Sequence, residues 1–238
     1  MKELVKWSFI ALLSYIILTT LYFGYDDIDD KKGIYNFYWS GLRGLWEERS
    51  FGFKMNEIVE TKLQGVDGHY VFGDSTFFVD QNNEFHRQKL DVNRKIIIQT
   101  SCEQLPQFTV TLKDSFSLEN EQYEAPNRLI ALSDIEGNFT GFYSFLLANK
   151  VIDRDAKWIF GNGHLVLNGD FFDRGDQVTQ VLWLIYSLEN QALQQGGKVH
   201  FILGNHEVMN LYGDVTHNDS KYTAVAKRVS KQNDWEHA

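Results

Sequence analysis

Three stretches in the second half of the chain share one pattern, and that pattern constrains the fold more than any other feature. Leu129-Ile130-Ala131-Leu132 runs into Ser133-Asp134-Ile135-Glu136-Gly137-Asn138. Leu165-Val166-Leu167 runs into Asn168-Gly169-Asp170-Phe171-Phe172-Asp173-Arg174-Gly175. Val199-His200-Phe201-Ile202-Leu203 runs into Gly204-Asn205-His206-Glu207. Each opens as a short apolar run, the mark of a buried strand, and then delivers oxygen- and nitrogen-bearing side chains beside a glycine. Successive units lie about 35 positions apart, which suits a βαβ crossover of about thirty residues or more. Between them, apolar residues recur at Phe139, Phe142, Leu146 and Leu147, and again at Val178, Val181, Leu182, Ile185 and Leu188. That is the spacing of amphipathic helices, and Gly196-Gly197 stops the second. The expectation is an α/β domain with a parallel sheet, whose strand ends bring Asp134, Glu136, Asp170 and Asn205 to one edge. In open α/β sheets ligands bind at that edge, and such convergence is the geometric condition for a metal site.

Asp134-Ile135-Glu136-Gly137, Gly169-Asp170-Phe171-Phe172-Asp173-Arg174-Gly175 and Gly204-Asn205-His206-Glu207 resemble the first three motifs of the calcineurin-like metallophosphoesterases. The Asp-Arg-Gly ending is similar to the phosphoprotein-phosphatase branch and its bacterial relatives. The resemblance covers residues 128–212. It implies a calcineurin-like fold with an incomplete sheet sandwich, and a metal-dependent phosphoester hydrolase similar to Ser/Thr protein phosphatases. It implies two divalent ions, manganese, iron, zinc or magnesium. Asp134 and Glu136 would bind the first ion, Asp170 would bridge both, and Asn205 would bind the second. His206 would protonate the leaving oxygen, Asp173 would orient its imidazole, and Arg174 would grip the substrate phosphate. The substrate would be a phosphorylated protein or small molecule.

Two departures from the family pattern matter. The family carries histidine where this chain has Glu136, which makes the donor set harder and favours manganese or magnesium. The family also supplies two later metal-binding histidines, one in a Gly-His context. Only His217 and His237 follow the third motif here, and neither comes after a glycine. The resemblance therefore implies the N-terminal portion of a longer enzyme and a weak catalyst as the chain stands. A nucleotide or dinucleotide polyphosphate hydrolase on the same fold, and an inactive membrane-tethered binding protein, are the alternative readings.

The N-terminal half reads differently. Trp7 through Tyr25 carry no charge over 19 residues, roughly 28 Å as a helix and close to a bilayer core of about 30 Å. Lys2 and Lys6 precede the run and Asp26, Asp27, Asp29 and Asp30 follow it. The positive-inside rule then predicts a single-pass anchor over residues 1–25, with the remainder extracytoplasmic. Residues 33–63 are rich in aromatics and are expected to form a helix packed on the following domain. Residues 64–125 read as β: Tyr70-Val71-Phe72 and Thr76-Phe77-Phe78-Val79 flank a turn at Gly73-Asp74-Ser75. Lys95–Gln99 and Phe108–Leu112 are further strand candidates, with Thr109 and Thr111 on a wet face. His69 and His86 fall in this region and are expected to be surface residues. The resulting organisation is an anchor (1–25), an aromatic and β-rich extension (26–125) and the N-terminal part of a metallophosphoesterase domain (126–238).

A net charge of −9 argues against a general nucleic-acid binder. It says little against phosphate, because bound dications reverse the local field. Cys102 is the single cysteine, so no intramolecular disulfide forms. Asn138-Phe139-Thr140 and Asn218-Asp219-Ser220 match the glycosylation sequon and are taken as chance matches.

Overall fold

The protein is described by a computed structural model over residues 2–23, 25–29, 34–39, 51–55, 63–115, 120 and 122–232. His237 lies outside the described residues. Two compact units divide the chain, Met1–Thr61 and Lys62–Ala238.

The first unit holds helix α1 (Lys2–Phe23) and strands β1 (Tyr25–Asp29), β2 (Ile34–Trp39) and β3 (Phe51–Met55), which form an antiparallel sheet in the order β1-β2-β3. The helix expected in residues 33–63 is thus corrected to strand over β2 and β3. The run Ile-Tyr-Asn-Phe-Tyr-Trp is β-branched and aromatic, the composition that suits a pleated surface. It pairs along its length with β3, from Tyr35↔Met55 to Trp39↔Phe51. The anchor region does fold as helix α1. Even so, among the described residues no helix is long and apolar enough to cross a membrane. The single-pass anchor expected over residues 1–25 therefore has no support among the described residues.

The second unit begins with β4 (Asp67–Phe72), β5 (Ser75–Val79) and β6 (Phe85–Lys89), an antiparallel sheet, followed by the hairpin β7 (Lys95–Gln99) and β8 (Gln107–Thr111). The β4–β5 turn falls at Gly73-Asp74, with Phe72 opposite Ser75. Along β8, Phe108 and Val110 are buried while Thr109 and Thr111 are exposed, the alternation expected of a sheet with one wet face. The alternating units follow as β9 (Leu129–Leu132), α2 (Phe139–Ala148), β10 (His164–Asn168), α3 (Val178–Gln194), β11 (Lys198–Ile202), α4 (Asn205–Leu211) and α5 (Ser220–Gln232). Strands β9 and β11 both pair with β10 in parallel, giving the order β11-β10-β9.

One hydrophobic core joins these parts. Leu165, Leu167 and Val199 of the parallel sheet pack with Phe142 and Leu146 of α2 and with Val181, Leu184, Ile185 and Leu188 of α3. Ile96, Ile98, Phe108 and Val110 of the β7–β8 hairpin belong to the same cluster. Of the periodic apolar residues named from the sequence, Leu147 and Leu182 are half-buried and the others are buried, with Tyr143, Leu184 and Ala192 added to the buried faces of α2 and α3. Burying a large aliphatic or aromatic side chain contributes about 1.5–3 kcal/mol, so this core fixes the sheet whose carboxyl edge carries the polar motifs.

Candidate active site

The three polar motifs meet at the carboxyl edge of the parallel sheet, and backbone bonds hold them there. The Asp134 and Glu136 N–H groups donate to the carbonyls of Gly169 and Asp170, at 3.3 and 3.0 Å. The Gly137 N–H reaches the Phe171 carbonyl at 2.9 Å, and the Gly175 N–H returns to the Glu136 carbonyl at 3.0 Å. A side-chain bond brings in the third loop: Asp170 Oδ1 accepts from the His206 N–H at 3.1 Å. Gly169 has φ +77°, and a Cβ there would collide with the backbone of Gly204. The second and third loops therefore touch only because neither position carries a side chain.

Five site residues that are not glycine occupy the left-handed region: Asp134 (φ 55°), Glu136 (47°), Asp170 (59°), Asp173 (73°) and Arg174 (57°). Each such residue costs of order 1–3 kcal/mol and persists only where its surroundings over-determine it. At Asp170 the determinant is Glu207. Its carboxylate is 2% exposed and accepts four backbone N–H groups. These come from Asp170 at 2.7 Å, Phe171 at 2.7 Å, Phe172 at 3.1 Å and Gly204 at 2.8 Å. A charged acceptor strengthens each bond, and the carboxylate lies in the first turn of α4, where negative charge is favoured. Sequence reasoning gave Glu207 no role. The available signal was a glutamate three residues after the glycine that starts a helix, half of a capping box.

Asp173 is fully buried, and its Oδ2 lies 2.6 Å from Nδ1 of the buried His206. The hydrogen bond to Asp173 raises the His206 imidazole above its ordinary range, against the opposing effect of desolvation. With Nδ1 engaged, Nε2 is the nitrogen left for proton transfer. Arg174 is exposed, and its guanidinium pairs with the half-buried carboxylate of Glu136 through Oε1. The Arg174 N–H donates to the His217 carbonyl at 2.9 Å, and the His217 ring lies edge-on to His206 at 5.7 Å between centroids. Asp134 and Asn205 are exposed and Asp170 is half-buried, at the ends of adjacent loops. Asn210, which the sequence reading passed over, and Asn218, which it named only in a sequon, also enter the site through Asp173.

The donors Asp134, Glu136, Asp170 and Asn205 are all oxygens, a set that suits hard divalent cations. Among the described residues, three carboxylate or imidazole ligand atoms lie within 4.8 Å of one another only at Asp80, Glu84 and His86, on the β5–β6 turn. That trio has the geometry of a turn: Asp80 Oδ1 accepts from the Asn82 and Glu84 N–H groups, and its Oδ2 meets His86 Nε2, each at 2.9 Å. Asp134, Glu136 and Asp170 do not close into such a trio, and Glu136 is turned to Arg174 instead. His69, expected at the surface, is half-buried. Its Nδ1 lies 2.9 Å from Thr76 Oγ1 and its Nε2 lies 3.0 Å from the Ile97 carbonyl.

Comparison with known proteins places this geometry. Residues 127–236 match the family model described as calcineurin-like phosphoesterase. The Arabidopsis thaliana Shewanella-like protein phosphatase 2 is 29% identical over 131 residues, 48% of this chain and 34% of that protein. The Plasmodium berghei Shewanella-like protein phosphatase 1 is 32% identical over 102 residues, 43% of this chain and 28% of that protein. Among solved structures, a mutant of a cold-active protein tyrosine phosphatase superposes with a TM-score of 0.61 at 31% identity, covering 70% of this chain and 51% of that one. The cold-active protein-tyrosine phosphatase of a psychrophilic Shewanella species gives 0.52 at the same identity. The chain thus spans about a third of the length of the curated relatives and about half that of the solved ones. Over residues 127–236 the chain is thus similar to the calcineurin-like phosphoesterases, a resemblance that implies divalent metal ions.

Proposed function

We propose that the chain hydrolyses phosphate monoesters, with a phosphorylated protein as substrate and divalent cations at the carboxyl edge of the parallel sheet. The observation that carries this reading is the juxtaposition of an oxygen-donor loop set (Asp134, Asp170, Asn205) with a buried Asp173–His206 pair and an exposed Arg174. Asp134, Asp170 and Asn205 would hold the cations, and Glu136 offers the oxygen that Arg174 does not engage. When bound, such ions acidify water and neutralise phosphoryl oxygens. Manganese or magnesium fits the all-oxygen set best.

The remaining work falls to the chain's own side chains. In hydrolysis a bond from phosphorus to the ester oxygen breaks, a bond from phosphorus to water oxygen forms, and the departing oxygen takes a proton. His206, as the imidazolium, supplies that proton from Nε2, while Asp173 accepts the Nδ1–H, orients the ring and favours its charged form. Arg174 presents its planar guanidinium to the phosphate, in competition with the Glu136 carboxylate.

The phosphoprotein substrate is supported by the names of the similar proteins. The similar solved proteins are protein tyrosine phosphatases, which supports a phosphotyrosine rather than a phosphoserine ester. The test is release of phosphate from phosphotyrosine, phosphoserine and phosphothreonine peptides by the manganese-loaded chain beside its Asp170→Asn variant. Slow turnover that disappears in the variant is expected. Turnover equal in both proteins would show that the site is not the source of the activity.

A further inference from the structure

We infer that Asn210, braced by Asn218, is the positioning residue that fixes Asp173 and through it His206, an inference that rests on the phosphoester hydrolysis proposed above. Asp173 has two carboxylate oxygens in a site from which water is excluded. Its Oδ2 meets His206 Nδ1 at 2.6 Å. Its Oδ1 accepts from Asn210 Nδ2 at 3.0 Å. The same Nδ2 donates to the His206 carbonyl at 2.9 Å, one turn back along α4. Asn210 Oδ1 in turn accepts from Asn218 Nδ2 at 2.8 Å.

Chemistry fixes the direction of this relay. A carboxylate and a carbonyl can only accept, so the amide group facing both must be the NH2 of Asn210. Its oxygen then faces Asn218, which must donate. Every polar atom of the Asn210 amide that the relay uses has a partner of the right kind, and flipping the amide would set an oxygen against two acceptors. The loop that carries Asn218 is tied to the site a second time, by the bond from the Arg174 N–H to the His217 carbonyl at 2.9 Å. Asp214 stiffens it by accepting from the Thr216 N–H and hydroxyl, at 3.1 and 2.7 Å.

The relay has a clear purpose. Asp173 sits at φ 73°, a backbone conformation with little intrinsic preference. One hydrogen bond to His206 leaves the carboxylate free to turn about its side-chain torsions. The second bond fixes its plane, so that the imidazole Nδ1–H has one acceptor in one direction. Without Asn210 a buried carboxylate oxygen loses its donor. The carboxylate then reorients, and His206 loses the ring orientation in which Nδ1–H is held and the imidazolium's Nε2–H is left to give its proton.

The test compares Asn210→Ala and Asn218→Ala with wild type in the whole chain, by two readouts. The first is the low-field NMR signal of the His206 Nδ1–H, assigned by its disappearance in His206→Asn. We expect it to be lost or clearly shifted in Asn210→Ala, and shifted less in Asn218→Ala, with the backbone amide spectrum otherwise retained. The second is leaving-group dependence in the manganese-loaded chain. Phenyl phosphate, whose leaving group needs a proton, should slow by about 10–100-fold in Asn210→Ala, the scale of a misplaced catalytic group. Dinitrophenyl phosphate, whose leaving group needs none, should change by less than about 3-fold. An unchanged Nδ1–H signal in Asn210→Ala overturns the inference, as does equal slowing of both esters. If wild type hydrolyses neither ester, the proposed function fails while the NMR signal still decides the relay. If Asn210→Ala does not fold, Asn218→Ala decides it by the same signal.

Discussion

Replacing Glu207 with glutamine changes one atom and removes one charge, and its cost can be worked from the structure. The native carboxylate accepts four backbone N–H groups, two on each oxygen: Phe171 and Phe172 on Oε1, Asp170 and Gly204 on Oε2. In Glu207→Gln one oxygen becomes an NH2. Whichever way the amide turns, it faces two N–H groups with a donor. Two backbone donors then lose their acceptor in a site where the side chain is 2% exposed. Each orphaned donor costs about 1–3 kcal/mol, and the two remaining bonds lose their charge assistance. The expected loss is about 3–5 kcal/mol from a total of about 5–15 kcal/mol for a domain of ordinary stability. In urea, with a slope of about 2 kcal/mol per molar, the midpoint should fall by about 2 M. Far-UV circular dichroism across a urea titration measures it. A shift equivalent to less than about 1 kcal/mol would refute the reasoning, because it would mean that the four bonds do not hold the Asp170 loop.

Other perturbations have defined outcomes. His206→Asn should keep metal binding while slowing esters with poor leaving groups by about 10²–10⁴-fold, as expected for loss of a general acid, measured by steady-state phosphate release. Arg174→Ala should weaken orthovanadate or phosphate inhibition by about 10-fold or more, through loss of a bidentate guanidinium contact. Burial lowers the His69 imidazole to about 4, opposed by its bond to the Ile97 carbonyl. The unfolded chain therefore binds the extra proton first, and stability should fall as pH drops from about 6.5 through about 4, by about 3 kcal/mol at most. Urea midpoints across that range should show the slope, and His69→Gln should flatten it.

The parallel sheet and its two helices were legible because their determinants are local. Each strand is a short apolar run, and each helix repeats its apolar face at the period that α2 and α3 bury. The Asp173–His206 pair was legible only through the resemblance, because the two residues lie far apart in the chain and meet by topology. Strand β6 went unread, since Phe85-His86-Arg87-Gln88-Lys89 has no apolar alternation. It is a strand because its backbone pairs with β5 from Ser75↔Lys89 to Val79↔Phe85. The aromatic run of β2, expected as helix, is a strand because its β-branched and aromatic residues suit a pleated surface and pair with β3 along its length. The pairing of Glu136 with Arg174, the four-donor cradle around Glu207 and the Asn210–Asn218 relay all depend on left-handed loop backbones that no periodicity announces.

The three loops meet at Asp170, and a titration of the chain with manganese followed by electron paramagnetic resonance tests its proposed role most directly. Glu207 holds the Asp170 backbone through its N–H and the His206 N–H donates to the Asp170 carboxylate, and the proposed metal site assumes that this carboxylate holds a cation. The prediction is saturable binding in wild type that weakens by at least about 10-fold in Asp170→Asn, the scale on which carboxylate ligands are lost. Identical manganese binding in the two proteins would contradict it.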